Sequence, residues 1–310
     1  GRASDIKPCI NCLIGCIDRG MLSHTPIHCT VNPSLYRFEC KPVEKAETRK
    51  QVAVVGAGPA GCEAALTASK RGHQVTIYEK RCIGGAMIEA SKPENKANIK
   101  RLIHYYEDHI MHDPNITLVK EEVEYETLVH SGYDAVIIAV GGKTRILNVP
   151  GIEKNSVIYA SDYLNGSTAV TGNTVVVIGG GITGAETALE LNAEGKKVTI
   201  VEMTDAFLAN FSSACQAYLA TINETDIKIL TGKRLTAVHE NNVILTDRWG
   251  NETTVPADSV VIAAGFTSQN ELSDKLEENT DMQVFNVGDS KRIRQIYDAI
   301  HEGFIAARQI

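Results

Sequence analysis

"QVAVVGAGPAGCEAALTASKRGHQVTIYEK", residues 51–80, decides how this 310-residue chain folds. A valine-rich apolar run leads into a glycine turn, then a segment dominated by Ala and Leu, then Gly72 and a second apolar run. Strand, turn, helix, stop and strand in that order make a βαβ unit. The same grammar returns in "NTVVVIGGGITGAETALELNAEGKKVTIVEM", residues 173–203, with Gly195 in the stop position. Gly56 and Gly179, the first glycines of the two turns, stand 123 residues apart, which marks a duplicated fold rather than a short-period repeat.

Both turns fit G-x-G-x-x-G: Gly56, Gly58 and Gly61 around Pro59 and Ala60, and Gly179, Gly181 and Gly184 around Ile182 and Thr183. A lone match is weak, because glycines also serve simply as tight turns. Here each follows an apolar strand and opens a helical segment. Each also has an acid at the end of the next strand, Glu79 or Glu202, 21 residues past the middle glycine. The glycines let the backbone approach a pyrophosphate, the helix N-terminus offers unpaired N–H groups, and the acid accepts from ribose hydroxyls. Two bound dinucleotides are the expectation, against the plainer reading of Glu79 and Glu202 as solvated charges at strand ends. The fold class expected is α/β, with two Rossmann-like dinucleotide-binding domains.

The remaining segments fill in the architecture. Residues 41–50 are polar, carry both signs of charge and read as a linker. Residues 133–142 hold another apolar strand, residues 227–265 alternate in short runs with a turn at residues 247–251, and the C-terminus ends in a helix with Ile296, Ala299, Ile300 and Phe304 on one side. The net charge of −7 supplies no basic field for nucleic acid or an anionic membrane. Neither a membrane-spanning apolar run nor a signal-peptide pattern is present, so the chain reads as cytoplasmic. It begins abruptly at Gly1, as though cut from something longer.

Cys9, Cys12, Cys16 and Cys29, four of the eight cysteines, are spaced C-x2-C-x3-C-x12-C. In a reducing compartment such clusters are metal or redox groups rather than disulfides. Spacing alone leaves structural zinc and an iron–sulfur cluster both open. Beside two dinucleotide sites that mark redox chemistry, a [4Fe–4S] cluster is the expectation, since it gives reducing equivalents a one-electron exit. His24 and His28 flank these thiols as groups that shield or donate hydrogen bonds rather than as ligands. Cys62 and Cys215 read as small apolar side chains, Cys40 and Cys82 are unpaired in sequence, and no C-x2-C or C-x4-C motif follows either fingerprint, which argues against a disulfide reductase.

The two units, with Gly84 and Gly85 after Glu79 and Lys80, "AVGG" at 139–142, "AAG" at 263–265, and Gly288-Asp289 before the last helix, resemble the two-dinucleotide-fold flavoproteins. The resemblance implies FAD on the first unit and NAD(P)H on an inserted second unit, with Ala139, Gly141, Gly265 and Gly288 lining cofactor sites and Asp289 contacting the ribityl chain. It also implies that Glu186, in the pattern GxGxxGxE, positions the nicotinamide, against the reading of a plain exposed helix glutamate. Glu202, with no cation in the next residues Met203 and Thr204, favours NADH over NADPH.

"IKPCINCLIGCIDR" followed by "CTVNP" is more specific: it resembles the junction in the modular old-yellow-enzyme-type flavoproteins, such as 2,4-dienoyl-CoA reductase and 2-enoate reductase. The complete second fingerprint makes trimethylamine dehydrogenase a less apt match, and the single cysteine group does the same for glutamate synthase small subunits. The resemblance implies a [4Fe–4S] cluster on the four cysteines and electron flow from NADH through FAD and the cluster to FMN on a TIM barrel, which is absent here. The domains expected are a cluster segment at 1–40, a linker at 41–50, an FAD domain at 51–165 with 266–310, and an NAD(H) domain at 166–265. Two rivals remain: a stand-alone NADH:acceptor oxidoreductase serving a separate partner protein, and a non-enzymatic nucleotide-binding domain stapled by zinc.

Overall fold

The computed structural model describes residues 3–35, 42–209 and 212–310; Cys40 lies outside them, as does part of the expected cluster segment and linker. The chain divides into two compact units, Gly1–Lys143 with Thr267–Ile310, and Thr144–Phe266.

The first unit opens with the cysteine segment, which contains one stretch of wide helix at Ile14–Leu22. The first βαβ unit follows as β1 (Gln51–Val55), α1 (Pro59–Arg71) and β2 (Gln74–Tyr78). Proline at the first helical position suits the start of α1, and Gly72 ends it in the left-handed region at φ 101°. Next come α2 (Met87–Ala90), α3 (Ala97–His112), β3 (Ile116–Val119), α4 (Tyr125–His130), β4 (Ala135–Ile138) and β5 (Gly142–Thr144). In the second unit the chain forms β6 (Val157–Tyr159), α5 (Ala160–Leu164), β7 (Thr174–Ile178), α6 (Ile182–Ala193), β8 (Lys197–Val201), α7 (Ser213–Asn223) and β9 (Lys228–Leu230). A meander of β10 (Lys233–Val238), β11 (Asn242–Asp247) and β12 (Glu252–Pro256) precedes β13 (Ser259–Ile262). After β14 (Phe266–Ser268), which pairs with β5, the chain completes the first unit with α8 (Glu271–Asn279), β15 (Gln283–Asn286) and α9 (Ile296–Gln309).

Each unit is built on a five-stranded parallel sheet, ordered β15-β4-β1-β2-β3 in the first and β6-β13-β7-β8-β9 in the second. The two orders correspond strand for strand. The central strands are buried along nearly their whole length, as parallel strands covered on both faces must be, which explains their unbroken valine and isoleucine runs. The expected hairpins at 227–265 appear as the antiparallel β10-β11-β12 meander.

Residues 144–165, expected with the first domain, group with the second unit. The reason lies in pairing: Val157, Ile158 and Tyr159 of β6 sit beside Val260, Val261 and Ile262 of β13, and Ile158, Tyr163 and Leu164 belong to the second unit's core. Among the described residues, no helix is long and apolar enough to cross a membrane.

Candidate functional site

In an open parallel sheet the ligand crevice lies beyond the strand C-termini, where the connections diverge to either side. Gly56 follows β1 there and Ala139 follows the neighbouring β4. Gly56 has φ 99°, and a Cβ on it would stand 2.4 Å from the Ala139 carbonyl oxygen; a Cβ on Gly61 would stand 1.9 Å from the Gly56 oxygen. Any side chain at either position collides with backbone. Gly58 differs, since the nearest atom to its added Cβ is Gly85 Cα at 4.0 Å. The first and third glycines are thus sealed against backbone, while the second opens outward at the start of α1, whose N-cap, Gly58, has no side chain to satisfy the first N–H groups.

The second unit repeats this. A Cβ on Gly179 would approach the Ala263 oxygen at 2.3 Å, one on Gly184 would approach the Gly179 oxygen at 1.9 Å, and Gly181 faces open space at the uncapped start of α6. "AVGG" at 139–142 and "AAG" at 263–265 are therefore equivalent, each being the strand end against which a fingerprint turns.

The two acids behave alike. Glu79, buried, accepts the Ala57 N–H on Oε2 and the Arg81 N–H on Oε1, both at 2.7 Å. Glu202, half-buried, accepts the Gly180 N–H and the Thr204 N–H, also both at 2.7 Å. They are not freely solvated strand-end charges. Each is fixed against its own fingerprint, with the remaining lone pairs of both oxygens able to accept from a sugar hydroxyl. Ala57 and Gly180, which the glycine pattern leaves unspecified, each supply one of these donors, and Arg81 and Thr204 supply the others.

Around the first fingerprint, Gly84 and Gly85 both have positive φ, and the Gly84 N–H donates to the Ala57 oxygen at 2.8 Å. Lys80 is exposed and pairs with Glu122. Gly141 and Gly288 take left-handed backbone at the same end of the unit. Asp289 accepts the Arg294 N–H at 2.9 Å, and burial raises its carboxyl above the ordinary aspartate value. A Cβ on Gly303 of α9 would stand 2.1 Å from the Ala60 oxygen, so α9 lies directly on α1. That glycine was missed, although one in a helix interior costs about 1 kcal/mol against alanine and so signals a need. Cys62 is fully buried and donates to the Ala57 oxygen at 3.1 Å, and its thiol is pushed up chiefly by that burial. Its expected role as a small interior side chain fits.

In the second unit a cavity of about 190 Å³ opens between Gly180, Gly181, Ile182, Glu202, Thr204 and Cys215. Thr183 is half-buried, and Gly265, at φ 84°, is exposed. Glu186 is not an exposed helix glutamate: it is buried and accepts the Tyr218 hydroxyl at 2.6 Å from α7.

The four cysteines are free thiols on one bent segment. Asn11 and Leu13, on either side of Cys12, both have positive φ. Cys9 accepts the Asn11 N–H, Cys16 lies 3.7 Å from the Leu13 oxygen, and Cys12 lies 3.0 Å from the Thr30 hydroxyl beside Cys29; burial raises the Cys12 thiol. Among the described residues, no three His, Cys, Asp or Glu side chains converge on a metal-binding point. Four thiols on one segment are a donor set that suits either structural zinc or an iron–sulfur cluster. His24 is exposed at φ 49°, whereas His28 is half-buried and bonded to Tyr297.

Residues 50–303 match the profile of the pyridine nucleotide-disulphide oxidoreductases. Over its full length the chain is 35% identical to an NADH oxidase of Thermoanaerobacter brockii, and covers 48% of that protein. It is 31% identical to a cinnamate reductase of Clostridium sporogenes, with 98% of this chain and 46% of that one aligned. A 2-naphthoyl-CoA reductase structure superposes with a TM-score of 0.89 at 30% identity, over all of this chain and 47% of that one. The chain spans about half the length of each of these three relatives. Membership of this family supports binding of FAD and NAD(P)H. With two sealed fingerprints and two anchored acids, the chain belongs to the pyridine nucleotide-disulphide oxidoreductase family, and corresponds to the C-terminal half of the modular NADH:flavin oxidoreductases.

Proposed function

We propose that the chain is the electron-input half of an NADH-dependent enoate or enoyl-CoA reductase, with FAD in the first unit and NADH in the second. When bound, FAD supplies a two-electron acceptor for NADH, and a [4Fe–4S] cluster supplies a one-electron exit toward an FMN-bearing TIM barrel in the same or a separate chain. The observation that carries this is the duplicated anchoring of an acid on a glycine fingerprint, at 2.7 Å in both units.

The residues divide the work. Gly58 with Pro59 and Ala60, and Gly181 with Ile182 and Thr183, present backbone and helix N-termini to a pyrophosphate. Glu79 and Glu202 accept ribose hydroxyls, and Glu202 disfavours a 2′-phosphate by repulsion. Gly84, Gly85, Ala139 and Gly141 let the flavin's nucleotide lie against the sheet edge, while Gly288 and Asp289 meet its ribityl side. Glu186 acts on the nicotinamide by position, its carboxylate held by Tyr218. Cys9, Cys12, Cys16 and Cys29 are the cluster ligands.

The relatives named cinnamate reductase and 2-naphthoyl-CoA reductase support an unsaturated or aromatic acyl substrate for the whole protein. The relative named NADH oxidase favours a second reading, a reductase that passes electrons to a separate acceptor. The free thiols favour a reducing cytoplasm as the compartment.

Anaerobic purification tests the reading. The expected chain carries one flavin, about four iron and four sulfide, and little zinc, and NADH bleaches its flavin faster than NADPH. Stoichiometric zinc without sulfide, or equal bleaching by NADPH, would overturn the corresponding part.

A further inference from the structure

The cysteine segment is tied to the first unit on both sides of its thiols. Ahead of Cys9, the Lys7 ammonium pairs with the buried Glu63 carboxylate on α1 and lies 5.1 Å from the Tyr106 ring centroid and 5.5 Å from that of Tyr105. The Tyr106 hydroxyl donates to the same carboxylate at 2.9 Å. At the far side, Nε2 of the buried His301 on α9 lies 2.9 Å from the Cys29 carbonyl oxygen. A carbonyl only accepts, so Nε2 carries the proton. Tyr297, one turn earlier on α9, stacks on His301 with ring centroids 4.0 Å apart, and its hydroxyl shares a 2.8 Å hydrogen bond with Nδ1 of His28.

We propose that Glu63, Tyr297 and His301 are positioning residues that hold the cysteine segment on α1 and α9. These helices also frame the first fingerprint: Gly58 begins α1, and Gly303 sets α9 directly against Ala60. The clamp therefore refers the four thiols to the same rigid pair that carries the flavin site. Neighbours that orient ligands control both retention and properties of a bound centre. The consequence for electron transfer rests on the reading that the four thiols hold a [4Fe–4S] cluster; the clamp itself does not.

Hydrogen exchange on the metal-free chain tests the clamp directly. In His301→Ala, amides around residues 26–31 exchange about tenfold faster, the effect of losing one buried hydrogen bond and its stacking, while amides at 56–61 are unchanged. Tyr297→Phe gives a smaller change in the same amides, and Glu63→Gln moves the change to residues 7–12. Unchanged exchange in all three variants would overturn the proposal, as would uniform acceleration across the whole unit.

In iron-loaded protein, His301→Ala shifts the reduced cluster's electron paramagnetic resonance signal and slows flavin-to-cluster transfer about tenfold, with flavin reduction by NADH unchanged. An unaltered signal and rate would overturn the electron-transfer role. Should the wild-type chain bind no iron, the functional reading fails, and the exchange comparison still decides the clamp.

Discussion

The two nucleotide units are near-copies at their fingerprints and different everywhere a ligand's far end would reach. Would-be Cβ contacts at the first and third glycines agree within 0.1 Å between units, at 2.4 and 1.9 Å against 2.3 and 1.9 Å. Both acids sit 2.7 Å from fingerprint N–H groups. Past that point they part. The first unit folds Gly84-Gly85 back onto Gly58 and covers α1 with α9, while the second leaves a cavity beside Glu202, lined by Ala206 and Cys215. The shared fingerprint geometry suits a dinucleotide in either unit, and on the proposed reading the chain that returns over it distinguishes FAD from NADH.

The largest effect that would break the symmetry comes from its most crowded atoms. Gly61→Ala and Gly184→Ala each place a methyl 1.9 Å from a backbone oxygen, a cost of about 3 kcal/mol, the upper end of ordinary overpacking, to the unit concerned. Gly61→Ala is expected to yield protein without flavin, and Gly184→Ala protein that keeps its flavin but is no longer bleached by NADH. Absorption spectra and stopped-flow traces check both; flavin loss in the second variant would show that the units are not separable.

The acids sharpen the comparison at lower cost. Glu202→Ala should raise the KM for NADH about tenfold, the loss of a charge-assisted hydrogen bond, and narrow the gap to NADPH. Glu79→Ala should instead weaken flavin retention, measured by ultrafiltration, and leave donor preference alone.

Much of this was legible. Periodicity and glycine spacing located both βαβ units, and a common acid spacing located Glu79 and Glu202, because those features are local. What escaped was non-local. Nothing near β6 announces that it pairs with a strand a hundred residues later, so residues 144–165 were placed with the wrong neighbour. For Glu186 the alternative of a plain exposed helix glutamate stayed open beside nicotinamide positioning, because its partner Tyr218 lies on another helix. His301 and Tyr297 read as part of an ordinary terminal helix, since the cysteine segment they hold is separated from them by most of the chain.

A third comparison concerns α9, which belongs to the first unit. Gly303→Ala should destabilise that unit by about 1–3 kcal/mol, through the clash with Ala60. Thermal unfolding followed by flavin release measures it, and an unchanged midpoint would mean that α9 does not bear on α1.

The smallest difference is one of pH. His73, buried before β2, accepts the Lys50 N–H, and burial lowers its pKa; Lys196 holds the equivalent place before β8. The folded imidazole resists a proton that the unfolded chain takes up, so stability should fall as pH drops below the ordinary imidazole value of about 6.5. His73→Gln should flatten that slope in the first unit, as read from denaturant midpoints between neutral and mildly acidic pH. An unchanged slope would assign it elsewhere.

The central claim is that NADH enters at one fingerprint and leaves its electrons on a flavin and a cluster held by the other unit. An anaerobic reductive titration of the purified chain, followed by visible absorption and electron paramagnetic resonance, counts those electrons. The expected uptake is about three per chain, two in the flavin and one in the cluster, with NADH sufficient to begin the bleaching. Uptake of two with no paramagnetic cluster signal, or a flavin that NADH does not bleach, would contradict it.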